Sequence, residues 1–186
     1  RSLTNPHADP ADQEKYRKIV DGSERVLRFT RDLVSYARPA HDKPEAVNLS
    51  ATIERAIGFC EHLLQRHGIR VERQFSEVPP FLAMRQNLVQ VFINLITNAC
   101  HATPDGGLVT IGTRTEDDQV IAWVTDTGAG IAPDVQEKIF DPFFTTKAHG
   151  TGLGLPLTRK HIAAHGGRLR VRSAPAKRTP FEILLP

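Results

Sequence analysis

Only two cysteines occur in the 186 residues, Cys60 and Cys100, and each falls within an apolar helical pattern. That scarcity excludes a disulfide scaffold or a Cys-rich zinc site and predicts two buried, reduced thiols in a cytoplasmic chain. No apolar run reaches the roughly eighteen residues of a membrane helix, and no signal-peptide pattern opens the chain. No membrane contact is therefore expected within this segment, although a longer parent protein can still be anchored. Aromatic residues make up 6% and no Lys/Arg run forms a stripe, so nucleic acid is not expected as a partner despite a net charge of +3. There is no Gly-Lys-Ser or Gly-Lys-Thr, no Gly-x-Ser-x-Gly, no Cys-x-x-Cys and no His-Glu-x-x-His. These absences set aside P-loop nucleotidases, nucleophile-elbow hydrolases, dithiol oxidoreductases and zinc peptidases.

What is present begins with a long amphipathic pattern. With 40% hydrophobic and 24% charged residues a packed core is expected. From Asp12 to Ala37 the residues Tyr16, Ile19, Val20, Ser23, Val26, Leu27, Thr30, Leu33 and Val34 recur at three- and four-residue spacing. This is one apolar stripe on a helix ~39 Å long. A regular seam of that length suits a helix bundle or a dimer better than a helix in the chain's own core. Pro39 and Pro44 end it, so residues 1–38 form one unit, 39–46 a linker and 47–186 a second unit.

The second unit reads as a short strand over Val47–Leu49, then a helix capped by Ser50 and stopped by Gly68. A half-buried strand follows over Ile69–Phe75, and then a break at Pro79-Pro80. A strong helix runs from Arg85 to Ala102. Strands over Leu108–Thr115 and Gln119–Thr125 join through a Glu116-Asp117-Asp118 turn. Residues 127–150 show no regular pattern. A helix over Leu153–His165 and a hairpin of Arg168–Ser173 with Phe181–Leu185 complete the chain. This order predicts an α+β fold: a two-layer α/β sandwich with a mixed sheet, helices on one of its faces, and a long helix ahead of it.

Two glycine clusters stand out. Asp126-Thr127-Gly128-Ala129-Gly130-Ile131 follows a strand, where a carboxylate can accept from a ligand amino group and glycines admit a flat ring. Gly150-Thr151-Gly152-Leu153-Gly154-Leu155 opens a helix, where exposed N–H groups and the helix dipole favour phosphate. Either cluster alone is a common turn; together, flanking a loop, they suggest a nucleotide site. Asn94 and Asn98 share a face of the Arg85–Ala102 helix. Such an amide can give Mg²⁺ one oxygen while water and phosphate supply the others, although two surface amides at this spacing are also commonplace.

Here the sequence resembles a known family. Asn94-Leu95-Ile96-Thr97-Asn98-Ala99 resembles the N box of sensor histidine kinases, and Asp126-Thr127-Gly128-Ala129-Gly130 their G1 box. Phe140-Asp141-Pro142-Phe143-Phe144-Thr145-Thr146-Lys147 is similar to the F box, and Gly150-Thr151-Gly152-Leu153-Gly154-Leu155 to the G2 box. The resemblance implies the Bergerat ATP-binding fold of gyrase, Hsp90, histidine kinases and MutL, with ATP and Mg²⁺ as its ligands. It implies that Asn98 ligates the metal, that Asn94 sits beside the phosphates and takes part in catalysis, and that Asp126 binds the adenine amino group with Gly130 against the base. A lid would run from about Ala132 to His149, with Lys147 reaching the γ-phosphate. Gly152 and Gly154 would donate backbone N–H groups to the phosphates. His101, Ala102, Gly128, Ile131, Gly150, Thr151, Leu153 and Leu155 would complete the cofactor wall.

Many kinases of the family carry Lys where this chain has His101. That histidine, with the Thr-Thr-Lys lid, resembles the nitrogen-regulator type. Residues 16–38 resemble the second helix of the dimerisation and phosphotransfer domain, which implies a homodimer through the N-terminal helix and a response-regulator receiver domain as partner. Arg1 and Ser2 stand where an H box needs His and Glu, so the acceptor histidine is expected outside these residues. The implied activity is an ATP-dependent protein histidine kinase. The alternatives are a nucleotide-binding scaffold and a conformational ATPase of the same superfamily. The hydrolysing relatives place Glu one turn before the metal-binding Asn, where this chain has Asn94.

Overall fold

The computed structural model describes residues 10–37, 43–147, 150–171 and 178–186. Helix α1 spans Pro10–Ala37. Its stripe is not used by the chain's own core: Tyr16, Ile19, Val20, Val26, Leu27, Leu33 and Val34 are between 41% and 65% exposed. The hydroxyls within the stripe turn back onto the helix, Ser23 donating to the Ile19 carbonyl and Thr30 to that of Val26, each at 2.9 Å. Thus two polar side chains lie in the seam without disturbing its shape.

The first strand and the helix after it start slightly earlier than the residue pattern predicts. Strand β1 is Glu45–Val47, and α2 is Leu49–Arg66. Asn48, not Ser50, caps that helix, its Oδ1 accepting from Ala51 N–H at 2.9 Å. The cap ends the strand at Val47, so Leu49 turns into the core as a helical residue. Gly68 ends α2 at φ +60°, where a side chain would be strained. Strand β2 is Arg70–Phe75, and a short β3, Phe81–Ala83, pairs antiparallel with β1. Three residues behind Pro79-Pro80 carry too little alternation to be read as a strand. Arg85, at the start of α3 (Arg85–Ala102), donates to Glu45 and to the Ala46 carbonyl, tying β1 to that helix.

The main sheet adds β4 (Leu108–Glu116), β5 (Gln119–Asp126), β6 (Arg168–Val171) and β7 (Thr179–Leu185). Its order is β2-β4-β5-β7-β6, with β2–β4 parallel and every other pair antiparallel. Asp117 and Asp118 close the β4–β5 hairpin with φ of 48° and 59°, the geometry of a two-residue turn that matches strand twist. Period-two alternation sends Val109, Ile111, Val120, Ala122, Val124, Phe181, Ile183 and Leu185 into the core. There they join Leu88, Phe92, Leu95 and Ile96 of α3, each fully buried. Helix α3 packs on β4 and β5 and against α2, while α5 (Gly154–Ala164) packs on α3 and β6. The result is the two-layer sandwich with a mixed sheet.

On the other face, the ring of Trp123 lies over Gly112, where a Cβ would come within 2.1 Å of it. The Arg114 guanidinium covers that ring at 5.2 Å. Between β5 and α5 the chain is not wholly irregular: α4 spans Pro133–Gln136, and a 3₁₀ turn Lys138–Phe140. Both cysteines are buried and free. Among the described residues no helix is long and apolar enough to cross a membrane, and no cluster of His, Cys, Asp and Glu is fit to hold a metal.

Candidate nucleotide site

Three structural joints bring the motifs together. The first is at the end of β5, where Asp126 is 3% exposed and its Oδ1 accepts from Gly128 N–H at 2.8 Å. Burial pushes this carboxyl above its ordinary range; the Gly128 N–H and the Lys147 ammonium pull it back. Gly128 runs so close to the end of α3 that a Cβ there would lie 2.4 Å from the Ala102 carbonyl oxygen. The G1 turn thus rests on the last turn of the Asn-bearing helix. Gly130 takes φ +79°, which leaves the backbone beyond Asp126 without a side chain.

The second joint is the lysine. Lys147 Nζ donates to Asn98 Oδ1 at 3.2 Å and interacts electrostatically with Asp126. The residue as a whole is exposed, but its amine end is drawn into the site. Desolvation lowers its pKa, and Asp126 opposes that shift. Lys147 is set by a local turn: its N–H donates to Thr145 Oγ1, and its carbonyl accepts from Gly150 N–H at 3.1 Å. A Cβ on Gly150 would meet Thr145 Oγ1 at 2.2 Å.

The third joint links the F-box segment to the G2 box. Phe143 N–H donates to the Gly152 carbonyl at 3.0 Å, and both residues sit at positive φ, +68° and +66°. The Phe143 ring is 59% exposed, whereas Phe140 packs toward the core under Arg159 of α5, whose guanidinium stands 5.6 Å from the ring centre. Phe140 anchors the segment and Phe143 faces outward.

Of the residues implied by the resemblance, Asn98, Lys147 and Asp126 are brought together, with Gly128 and Ala102 in contact beside them. Leu153 is fully buried, and its N–H is held by Thr151 Oγ1 at 3.3 Å, so its side chain is a core residue. Leu155 and Ile131 pack against the core. His101 lies exposed in the last turn of α3. Ala148 and His149, in the expected lid, lie outside the described residues. Asn94 joins α3 to the opening of α5: its Nδ2 donates to the Gly154 carbonyl at 3.1 Å and to Thr158 Oγ1 at 3.5 Å, while its Oδ1 accepts from Gln90 Nε2 at 3.0 Å.

His165, the last residue of the predicted Leu153–His165 helix, bridges two elements. Its Nδ1–H donates to the His161 carbonyl at 2.7 Å, and its Nε2 accepts from Met84 N–H at 2.9 Å. It therefore supplies the partner that Met84, the residue before α3, does not find within its own helix. No sequence signal marks this long-range pairing; Gln90, four residues before Asn94, was detectable by its spacing.

Asn98 Oδ1 is a hard oxygen of the kind Mg²⁺ takes, and in this structure it accepts from the Lys147 ammonium.

Comparison with known proteins agrees with this geometry. A family model described as histidine kinase-, DNA gyrase B- and HSP90-like ATPase matches residues 84–186. The signal transduction histidine-protein kinase AtoS of Escherichia coli is 36% identical over 99% of this chain and 31% of its own length. The sensory histidine kinase/phosphatase NtrB of Azospirillum brasilense is 30% identical over 99% of this chain and 50% of its own. The chain thus spans from 31% to 50% of the length of these curated relatives. Among solved structures, the catalytic domain of histidine kinase ThkA superposes with a TM-score of 0.71 at 32% identity, covering 77% of this chain and 95% of that one. ThkA in complex with the response regulator protein TrrA gives 0.80 at 27% identity over 98% of this chain and 53% of that one. With the four motifs joined around Asp126, Asn98 and Lys147, the chain belongs to the histidine kinase-, gyrase B- and HSP90-like ATPase family.

Proposed function

We propose that this chain is the ATP-binding portion of a sensor histidine kinase, placing the γ-phosphoryl of ATP for attack by a histidine supplied from outside it. The observation that carries this reading is the convergence of Asp126, Asn98 and Lys147 with the α5 N-terminus. A buried carboxylate for the adenine amino group and a cation-facing amide for the phosphate end lie in one site. Bound Mg²⁺ would supply charge neutralisation on the phosphates, held by Asn98. Asp126 fixes the base, the opening turn of α5 offers N–H groups to phosphate, and Lys147 reaches the γ-phosphate. In the transfer the imidazole nitrogen forms the new bond to Pγ, the bond from Pγ to the β,γ-bridging oxygen breaks, and ADP leaves. Positioning carries most of such a reaction. Asn94 stands where a water-activating carboxylate would be needed for hydrolysis, and its amide is already engaged by Gly154 and Gln90.

The exposed stripe of α1 supports a homodimer through residues 1–38, with a linker that ends where β1 begins at Glu45 and the catalytic unit from there to residue 186. The ThkA–TrrA complex supports a response-regulator receiver domain as the next acceptor, through its Asp. The cytoplasm, where ATP and such regulators meet, is the proposed location.

The test is γ-labelled ATP with the chain and the polypeptide bearing the acceptor histidine. Acid-labile, alkali-stable label on protein is expected, lost in Asn98→Ala and Asp126→Ala. Full labelling of either variant refutes the site. Free phosphate without labelled protein indicates a conformational ATPase, and tight ATP binding with neither outcome indicates a scaffold.

A further inference from the structure

Gln90, Asn94, Gly154 and Thr158 form a closed hydrogen-bonded set between α3 and the first turn of α5. Asn94 is half-buried at its centre. An amide has the same shape after a half-turn about its last bond, so shape alone does not decide which end faces α5. The Gly154 carbonyl decides it, and the other two partners fall in with that choice. Gln90 presents an N–H to Asn94 Oδ1 at 3.0 Å. The Gly154 carbonyl can only accept, and it takes Asn94 Nδ2–H at 3.1 Å. Thr158, fully buried, gives its one proton to that carbonyl at 2.9 Å, leaving a lone pair for Asn94 Nδ2 at 3.5 Å. Gln90, Asn94 and Asn98 also follow at four-residue steps along one face of α3. The ladder therefore runs from the scaffold end of the helix to the amide that faces Lys147.

We infer that Gln90 and Thr158 are positioning residues: they fix the orientation of the Asn94 amide and so hold the phosphate-facing start of α5 at a set distance from Asn98. This rests on the reading of the site as a Mg-ATP site. Neither residue need touch the nucleotide, since each acts through Asn94 and Gly154.

The discriminating variant is Gln90→Glu, nearly isosteric. It replaces the N–H facing Asn94 Oδ1 with a carboxylate oxygen, so the amide loses the donor that keeps its Nδ2 turned toward the Gly154 carbonyl. Thr158→Val removes the hydroxyl at similar volume, and Thr158→Ser restores it. Titration calorimetry on the full chain is expected to show Mg-ATP affinity about tenfold weaker in Gln90→Glu and Thr158→Val, as for a misplaced buried hydrogen bond. Adenosine, held at the Asp126 end, should bind within about twofold of wild type, with Thr158→Ser near wild type for both ligands. The side-chain amide resonances of Asn94 are expected to be exchange-protected in the wild type and to lose that protection in Gln90→Glu, with no nucleotide present. Equal losses of ATP and adenosine, or unchanged ATP affinity in both variants, overturn the inference. If the amide signature behaves as expected but the wild type binds no Mg-ATP, the site reading fails instead, and the role assigned to the pair fails with it.

Discussion

Replacing Gly128 with alanine adds one methyl at the joint between the G1 turn and α3. The new Cβ would sit 2.4 Å from the Ala102 carbonyl oxygen and 2.8 Å from its carbon, about 1 Å inside ordinary contact. Both neighbours are backbone, so no side chain can swing aside. The α3 terminus must shift or the turn must lift, and overpacking of this kind costs about 1–3 kcal/mol. Lifting the turn also draws Gly128 N–H from Asp126 Oδ1, now 2.8 Å away, at about another 1–3 kcal/mol for a buried acceptor left short. A loss of about 2–6 kcal/mol in a unit of this size lowers the melting temperature by roughly 6–18 °C. Thermal unfolding followed by circular dichroism measures that loss, and calorimetry the expected loss of adenine-nucleotide binding. A variant melting within about 2 °C of wild type with unchanged affinity would show that the joint is not rigid, and the placing of Asp126 by Gly128 would have to be abandoned.

Asp126→Asn separates stability from binding. The folded carboxyl has a raised pKa, so folding favours its protonated form, and its contribution to stability is lost as pH rises through the unfolded and then the folded value. The variant should therefore be more stable than wild type at neutral pH, with the gap closing on acidification, and yet bind adenine nucleotides more weakly; equal stability at pH 7 refutes the burial argument. Wild-type nucleotide affinity should begin to fall, on lowering pH, while still above the ordinary carboxylate range, because protonated Asp126 is a poorer acceptor; binding constants across pH check this. Lys147→Met should weaken ATP about tenfold or more while affecting ADP less, the signature of a charge-assisted γ-phosphate contact; equal losses contradict it. Gly112→Ala should push Trp123 off the sheet and change the fluorescence of this single tryptophan, leaving ATP affinity unaltered. His165→Leu should destabilise by about 1–3 kcal/mol by orphaning Met84 N–H, as read by chemical denaturation.

The features legible in the sequence were those with strong periodicity or local chemistry. Helix α3 runs over its predicted bounds, and the β4–β5 hairpin follows from two aspartates able to take positive φ. The stripe of α1 was visible because seven large apolar residues keep one spacing. Less legible were features set by pairing at a distance. β3 exists because β1 pairs with it, not because Phe81-Leu82-Ala83 has a pattern of its own. Asn48 outcompeted Ser50 as cap because the chain enters the helix one turn position earlier, carrying Leu49 inward. In the site, spacing put Asn94 and Asn98 on one face and the resemblance gave them separate roles, but only the fold shows their different partners. One amide meets an ammonium and the other a carbonyl, a difference set by elements 49 and 60 residues away in sequence.

The pairing of β1 with β3 gives the domain a defined point of mechanical entry. The chain arrives at Glu45, is stitched to β3 over three residues, and is gripped by Arg85 through Glu45 and the Ala46 carbonyl. A pull or twist delivered along the incoming chain is therefore borne at the root of α3, ahead of the main sheet. The same helix carries Gln90, Asn94 and Asn98 at successive turns, so a load taken at Met84–Arg85, where His165 braces the chain, falls on the element that also carries the site.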